Sequence, residues 1–500
     1  MNDVCLIVEG AYPFISGGVS SWLHALIRNL PDVTFALVHI SDKPDPDRKP
    51  KYVLPPNVRT FHEIFIHDVA EQVHRRKQTM DAATWEQLND FHLSLHAQAP
   101  KDAPEFTQWL GQTDHAGITD KEFLHSQKGW ELITSLYNQS ASDKSFVDYF
   151  WTYRFTHLPL FALLEAEIPE AKVYHAVSVG YGGFLGVLAK LRTGRPLLLT
   201  EHGIYVRERE IEIAQTEWIY TEKQHEFQLA RRMDFFQQWW LDMFRYMTRI
   251  AYDQAEKIVT ITTVNTRYQL RYGAAPEKLE VIPNGIDTSK LSQVQRLSHQ
   301  QPEFNIALIG RVVPIKDIKT YIRAVSIASK VIPELQAYII GPVDEDPDYY
   351  EECMQLIALL GVQEKIICTG QVQISEYLPK LDVNVLTSLS EGQPLVILEG
   401  SCAGIPVIAT DVGACRELLM GVTAEDQALG VCGIITPAAS PAETANAMIR
   451  LWQNPALRQE MSRIGRERVL RYYRQETLYA AYAAMYQYYC DQTQYLPSQL

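Results

Sequence analysis

The first forty residues constrain the fold most. DVCLIVEG (3–10) is an unbroken apolar run that stops at Gly10. VSSWLHALIRNL (19–30) then spaces Trp22, Leu23, Leu26, Ile27 and Leu30 as one face of a helix, and VTFALVHI (33–40) is a second apolar run. Strand, helix and strand in that order form a βαβ unit, whose strands are parallel and covered on both faces. The pattern continues in AKVYHAVS (171–178), RPLLLTE (195–201) and KIVTIT (257–262).

A second series follows a polar, turn-like break at 286–303. It comprises NIALIG (305–310), LQAYIIG (335–341), KIICTG (365–370), DVNVLTS (382–388), IPVIATD (405–411) and CGIITP (432–437), with helical stretches between most of them. The expected fold class is therefore α/β, with two Rossmann-like doubly wound domains. The first covers 1–290 and carries a helical insertion at about 67–160; the second covers 291–470. A helix over 471–500 is expected to pack back on the first domain. The aromatic stretch RRMDFFQQWWLDMFRYM, within 205–256, reads as a helix packed on the sheet, and the arginines of 458–474 as a solvated helix face.

Composition narrows the class. With 46% hydrophobic and 21% charged residues in 500, the chain is globular, and its formal net charge of −14 disfavours a nucleic-acid partner. Seven scattered cysteines without a CxxC pair read as reduced core thiols. The opening MNDVCLIVEGAYPF lacks the basic flank and apolar length of a signal peptide, and no stretch approaches a membrane span. A cytoplasmic protein without a transmembrane segment is expected.

Candidate chemistry clusters where strands end. GRVVPIKD (310–317) follows a buried strand, so Arg311 and Lys316 stand at the carboxyl edge of the second sheet. A guanidinium fork and an ammonium there suit a diphosphate, although the pair also fits a solvated loop. In EGQPLVILE (391–399) a helix is expected to start near Pro394. The N–H groups of Gly392, Gln393 and Leu395 would then face an anion above the sheet edge. Glu391 lies in the loop beside that ligand. Glu399, about one and a half turns in, reaches past the phosphates or lies on a wet face. In the first domain, Gly17 and Gly18 lie between strand and helix, His202 ends a strand in TEHGIY, and SVGYGGFLG (178–186) is a further glycine-rich turn. His92 and His96 share a helix face but lack a third ligand, so a structural role is expected. No GxSxG elbow or GxxxxGK[ST] loop occurs.

Taken together, GR-x4-K after a strand, E-x7-E at a loop-to-helix turn, and IPNGID (282–287) resemble family 4 glycosyltransferases, which have the two-Rossmann GT-B fold and retain anomeric configuration. EGAYPFISGGVSSW, EHGIYVRERE and the helical insertion are most similar to the soluble glycosyltransferases of Pel exopolysaccharide operons (PelF-type). The resemblance implies that Arg311 and Lys316 bind the donor diphosphate, Glu399 the ribose hydroxyls and Glu391 the donor sugar. It places Gly17 and Gly18 along the cleft and His202 near the sugar, and leaves the Gln393 side chain assigned to no particular sugar. It also implies a UDP-sugar as co-substrate, a polysaccharide acceptor, and partnership with a membrane-bound exopolysaccharide synthesis complex. No metal and no further cofactor are expected, since the two cations would serve the leaving group and no DxD motif adjoins a strand end; DEDPD (344–348) reads as a helix-start loop. A nucleotide-sugar epimerase or hydrolase of the same fold, or a non-catalytic nucleotide-sugar-binding protein, are the alternatives.

Overall fold

In the computed structural model, the described residues are 1–67, 85–86, 92, 126–215, 234–295 and 303–493. The chain divides into two compact units: Met1–Thr260 with Asn265–Glu280 and Tyr482–Leu500, and Ile261–Val264 with Val281–Ala481.

The first unit is built on strands β1 (Asn2–Glu9), β2 (Phe35–Ser41), β3 (Val58–Phe65), β4 (Ala171–Ala176), β5 (Leu197–Glu201), β6 (Lys257–Thr260) and β7 (Leu279–Val281), in the order β3-β2-β1-β4-β5-β6-β7. From β3 to β6 every pairing is parallel. Strands expected from apolar runs appear within about two residues of their expected bounds. β3 escapes that reading because its residues alternate between exposed and half-buried, and VRTFHEIF has no apolar run. The first helix, Gly18–Asn29, buries Leu23, Leu26 and Ile27.

Within the insertion, helices Gln127–Ser140 and Phe146–Glu165 are formed. His96 lies outside the described residues. His92 is buried, its ring stacked on that of His157 with Nε2 atoms 2.6 Å apart. The aromatic stretch becomes helix Phe235–Gln254, opened by an Asp234/Gln237 capping box. Its principal contacts are with helices Tyr181–Thr193 and Tyr205–Gln215, with which it forms a helical layer on the sheet, its buried Tyr252 hydroxyl donating to Glu201 Oε2 of β5 at 2.6 Å. Aromatic residues suit such a layer because they bury large areas between helices.

The second unit carries β8 (Phe304–Ile309), β9 (Leu335–Ile340), β10 (Ile366–Gly370), β11 (Val383–Leu386), β12 (Val407–Thr410) and β13 (Gly433–Thr436). They form one parallel sheet in the order β10-β9-β8-β11-β12-β13. The order reverses between β8 and β11, and in open α/β sheets ligands bind outside the strand ends at such a point.

Main-chain bonds attach the 282–287 stretch to the second unit. Ile286 N donates to Tyr473 O at 2.9 Å and Gln475 N to Ile286 O at 3.0 Å. The first unit therefore closes at Glu280, ahead of 290. Helix Gln475–Gln492 rejoins it from Tyr482, where Tyr482 hydroxyl meets Thr200 Oγ1 at 2.9 Å and Tyr486 hydroxyl meets His175 Nδ1 at 2.7 Å.

The 458–474 arginines correct the expectation of a solvated face. Arg463 and Arg471 are exposed and paired with Glu460 and Glu467. Arg468, however, is only 1% exposed and binds Asp426 Oδ1 at 2.6 Å as well as the carbonyls of Leu419, Asp426 and Gly430. Placed on the inner face of a packed helix, an arginine must satisfy its donors with protein acceptors, and here the loop around Asp426 supplies them. No helix among the described residues is long and apolar enough to cross a membrane.

Candidate functional site

Beyond β8 the chain passes Gly310 and runs into a turn of 3-10 helix, Pro314–Lys316. Gly341, at φ 152°, ends β9 so close to this segment that a Cβ on it would lie 2.0 Å from Gly310 O; only glycine permits that approach. Asp317 adopts a left-handed conformation, φ 45°, and caps helix Ile318–Ala328 by accepting from Thr320 N at 3.1 Å. Strain of this kind persists only where neighbours hold it. The neighbour is Thr387, at the end of β11, whose hydroxyl donates to Lys316 O (3.1 Å) and Asp317 O (2.9 Å).

The two cations differ. Lys316 points inward: its Nζ lies 2.5 Å from Glu391 Oε1, and the two side chains are only 15% and 11% exposed. Ser388 donates to the same oxygen at 2.6 Å. Arg311 is half-exposed and pairs with Glu345 at 2.5 Å.

The loop bearing Glu391 is fixed from both sides. Leu389 N donates to Ile315 O (2.8 Å), Thr410 hydroxyl to Ser388 O (2.7 Å) and Ala414 N to Gly392 O (2.8 Å). Gly413, at φ 50°, lies against it so tightly that a Cβ would sit 2.0 Å from Glu391 O. Helix Leu395–Cys402 follows, with Pro394 as its N-cap and no capping side chain, so its first N–H groups face the sheet edge without a side-chain acceptor. The Gln393 side chain is turned away and committed elsewhere: Oε1 accepts from Asn284 N at 2.7 Å and Nε2 donates to Asn284 O at 3.1 Å. Any ligand role of Gln393 is left to its main chain. Leu395 is exposed on the first turn.

Glu399 is half-buried. No hydrogen bond or ion pair to its carboxylate exists among the described residues, and burial holds its carboxyl above the usual glutamate range. A half-buried carboxylate without protein donors loses part of its hydration, and such groups mark places where a ligand completes the bonding.

Three candidates lie in the first unit. Gly17 caps helix Gly18–Asn29 through its main chain alone, and space is open around both glycines. His202 packs edge-on against Trp22, ring centroids 4.5 Å apart, with both ring nitrogens enclosed and without a hydrogen-bond partner among the described residues. Burial pushes its pKa down to about 4, so the imidazole is neutral near pH 7 and offers one donor and one acceptor. The peptide carrying it is gripped by Asn265, whose Nδ2 donates to His202 O at 3.1 Å. Lys316, Glu391, Gly392, Leu395 and Glu399 thus come from the loops and helix at one edge of the second sheet. Ser388, Thr387, Gly413 and Trp22 support candidates but carry no sequence signal beyond their proximity to the motifs.

Two family models match. Residues 2–277 match the family described as "Domain of unknown function (DUF3492)", and residues 303–454 match "Glycosyl transferases group 1". Among curated proteins, the chain is similar to an MMP alpha-(1->4)-mannosyltransferase of Mycolicibacterium hassiacum, 25% identical over 308 residues, 60% of this chain and 67% of that protein. It is also similar to a D-inositol 3-phosphate glycosyltransferase of Paenarthrobacter aurescens, 26% identical over 204 residues, 39% of this chain and 48% of that protein. The match thus spans about two thirds of the first relative and about half of the second. Among solved structures, sucrose-phosphate synthase of Thermosynechococcus elongatus aligns over 97% of this chain and 98% of its own (TM-score 0.56, 15% identity). Anabaena Alr3699/HepE in complex with UDP aligns over 97% and 99% (TM-score 0.58, 14% identity). The chain belongs to the DUF3492 family, its residues 303–454 match the group 1 glycosyltransferase model, and its two Rossmann-like units give it the GT-B fold.

Proposed function

We propose that the protein is a retaining glycosyltransferase that moves a hexose or N-acetylhexosamine from a UDP-sugar to a growing exopolysaccharide, as the resemblance to PelF-type enzymes implies. One observation carries the reading. At the reversal between β8 and β11, Lys316 and Glu391 stand beside a helix N-terminus without a capping side chain, and Glu399, which has no partner among the described residues, follows one and a half turns later. The mannosyl- and glycosyltransferase names of the relatives support it, as does UDP in the HepE complex.

In this reading the donor diphosphate lies over the start of helix Leu395–Cys402, with Lys316 and Arg311 as its cations. When the sugar–oxygen bond breaks, negative charge grows on the diphosphate while the sugar becomes cation-like. Fixed cations and N–H dipoles beside the leaving group lower that barrier. Glu391 meets the sugar and Glu399 the ribose. The acceptor is the polymer, and the membrane-bound synthesis complex is the partner.

Thermal denaturation against UDP, GDP and ADP tests the site. UDP at 100 times its dissociation constant should stabilise the protein by about 2.7 kcal/mol. Absence of any shift with UDP would refute the donor assignment. Turnover should survive EDTA, and early NMR of an α-linked donor's product should show the α anomer. EDTA loss restored by Mg²⁺, or initial β product, would overturn the metal-independent and retaining assignments respectively.

The ribose assignment makes a separate prediction. A carboxylate accepts from both members of a vicinal diol, and a 2′-deoxy donor leaves one oxygen of Glu399 short of a partner. Wild-type protein should prefer the UDP-sugar over its 2′-deoxy counterpart by roughly ten- to a hundredfold in kcat/KM. Glu399→Ala should be slower on both and largely lose that preference. If the variant still discriminates as wild type does, Glu399 does not hold the ribose.

A further inference from the structure

Ser388 lies two residues beyond the end of β11 and is fully buried. Its hydroxyl donates to Glu391 Oε1, the oxygen that Lys316 also binds. The other carboxylate oxygen, Oε2, accepts no hydrogen bond among the described residues, although the side chain is only 11% exposed. Two donors thus load one oxygen and none the other. We propose that Ser388 is a positioning residue that fixes Glu391 Oε1 inward, so that Oε2 is presented to a hydroxyl of the donor sugar.

The geometry gives Ser388 this capacity and denies it to Lys316. A serine on fixed backbone has one side-chain torsion, whereas an ammonium on a four-carbon stem follows its partner. The backbone here is fixed on every side: Ser388 O accepts from Thr410, Leu389 N donates to Ile315 O, and the Thr387 hydroxyl is tied to Lys316 O and Asp317 O. Without the Ser388 hydroxyl, the carboxylate can turn on its own axis while keeping its ion pair. The sugar would then lose a directed acceptor, while UDP would keep its binding partners.

This inference rests on the assignment of Glu391 to the sugar, and the test separates the two. UDP, UDP-glucose and UDP-N-acetylglucosamine are titrated calorimetrically into full-length wild type, Ser388→Ala, Glu391→Ala and the double variant; turnover is measured in parallel. Ser388→Ala should bind UDP within about twofold of wild type. It should lose the added affinity that the sugar confers, and kcat should fall by up to about a hundredfold, the scale of a misplaced reacting group. In the Glu391→Ala background, adding Ser388→Ala should change sugar-dependent binding by no more than about twofold. An undiminished second loss there overturns the proposal while leaving the Glu391 assignment intact. If Glu391→Ala alone preserves both sugar-dependent binding and turnover, the assignment itself fails and the proposal with it. Should Ser388→Ala unfold, Ser388→Cys keeps nearly the same volume with a far weaker donor, and the same comparisons apply.

Discussion

Lys316→Ala should lower kcat/KM by at least about two orders of magnitude, with the UDP-sugar and acceptor concentrations both varied. Removing one preorganised donor at a developing charge costs about 3 kcal/mol, and Lys316 is the enclosed cation of the pair. Arg311→Ala should cost less, because that guanidinium is half in water and already shared with Glu345. The order matters as much as the size. Near-wild-type turnover of Lys316→Ala would mean that the diphosphate lies elsewhere. Lys316→Arg should not restore activity fully, since a longer planar fork cannot sit where an ammonium meets Glu391 Oε1 at 2.5 Å.

Arg468→Ala should destabilise the fold by about 3–5 kcal/mol, read from the denaturant midpoint of the second unit's unfolding. That is the usual consequence of stranding one partner of a buried ion pair. The stranded group is Asp426, itself 3% exposed; the Gly430 carbonyl loses its donor as well, while that of Leu419 keeps Cys432 N. Arg463→Ala, on the same helix but in water with Glu460 and Glu467, should shift stability by less than about 1 kcal/mol. Equal effects of the two substitutions would show that the Asp426 pair is not what holds helix Pro455–Tyr472 to the loop.

The double alternation of strands and helices was legible because parallel strands buried on both faces leave unbroken apolar runs, as in NIALIG and IPVIATD. β3 was not, since an edge strand needs no such run. The candidate motifs were legible as residue types at strand ends, but their partnerships were not. Nothing in GRVVPIKD distinguishes the inward Lys316 from the outward Arg311, and nothing in EGQPLVILE says that the Gln393 amide binds Asn284. Such contacts join positions about 75 to 110 apart in sequence, and local pattern carries no record of them. The same holds for Arg468: helical spacing locates it on a face, but the acceptors that make burial tolerable come from the 419–430 loop.

The bare carboxylate of Glu399 implies a trade between durability and readiness. Because burial raises its folded-state pKa above the unfolded value, the folded form is favoured at low pH. That advantage disappears as pH rises through the interval between the two values. Above that interval the empty protein carries an ion that its surroundings solvate less well than water does. Glu399→Gln should therefore melt at a higher temperature than wild type near pH 7, and the gap should narrow as the medium is acidified toward the unfolded pKa. With UDP present the ranking should invert, because only the carboxylate is repaid by the ribose. A residue that weakens the vacant fold in this way is a mark of selection for occupancy rather than for endurance.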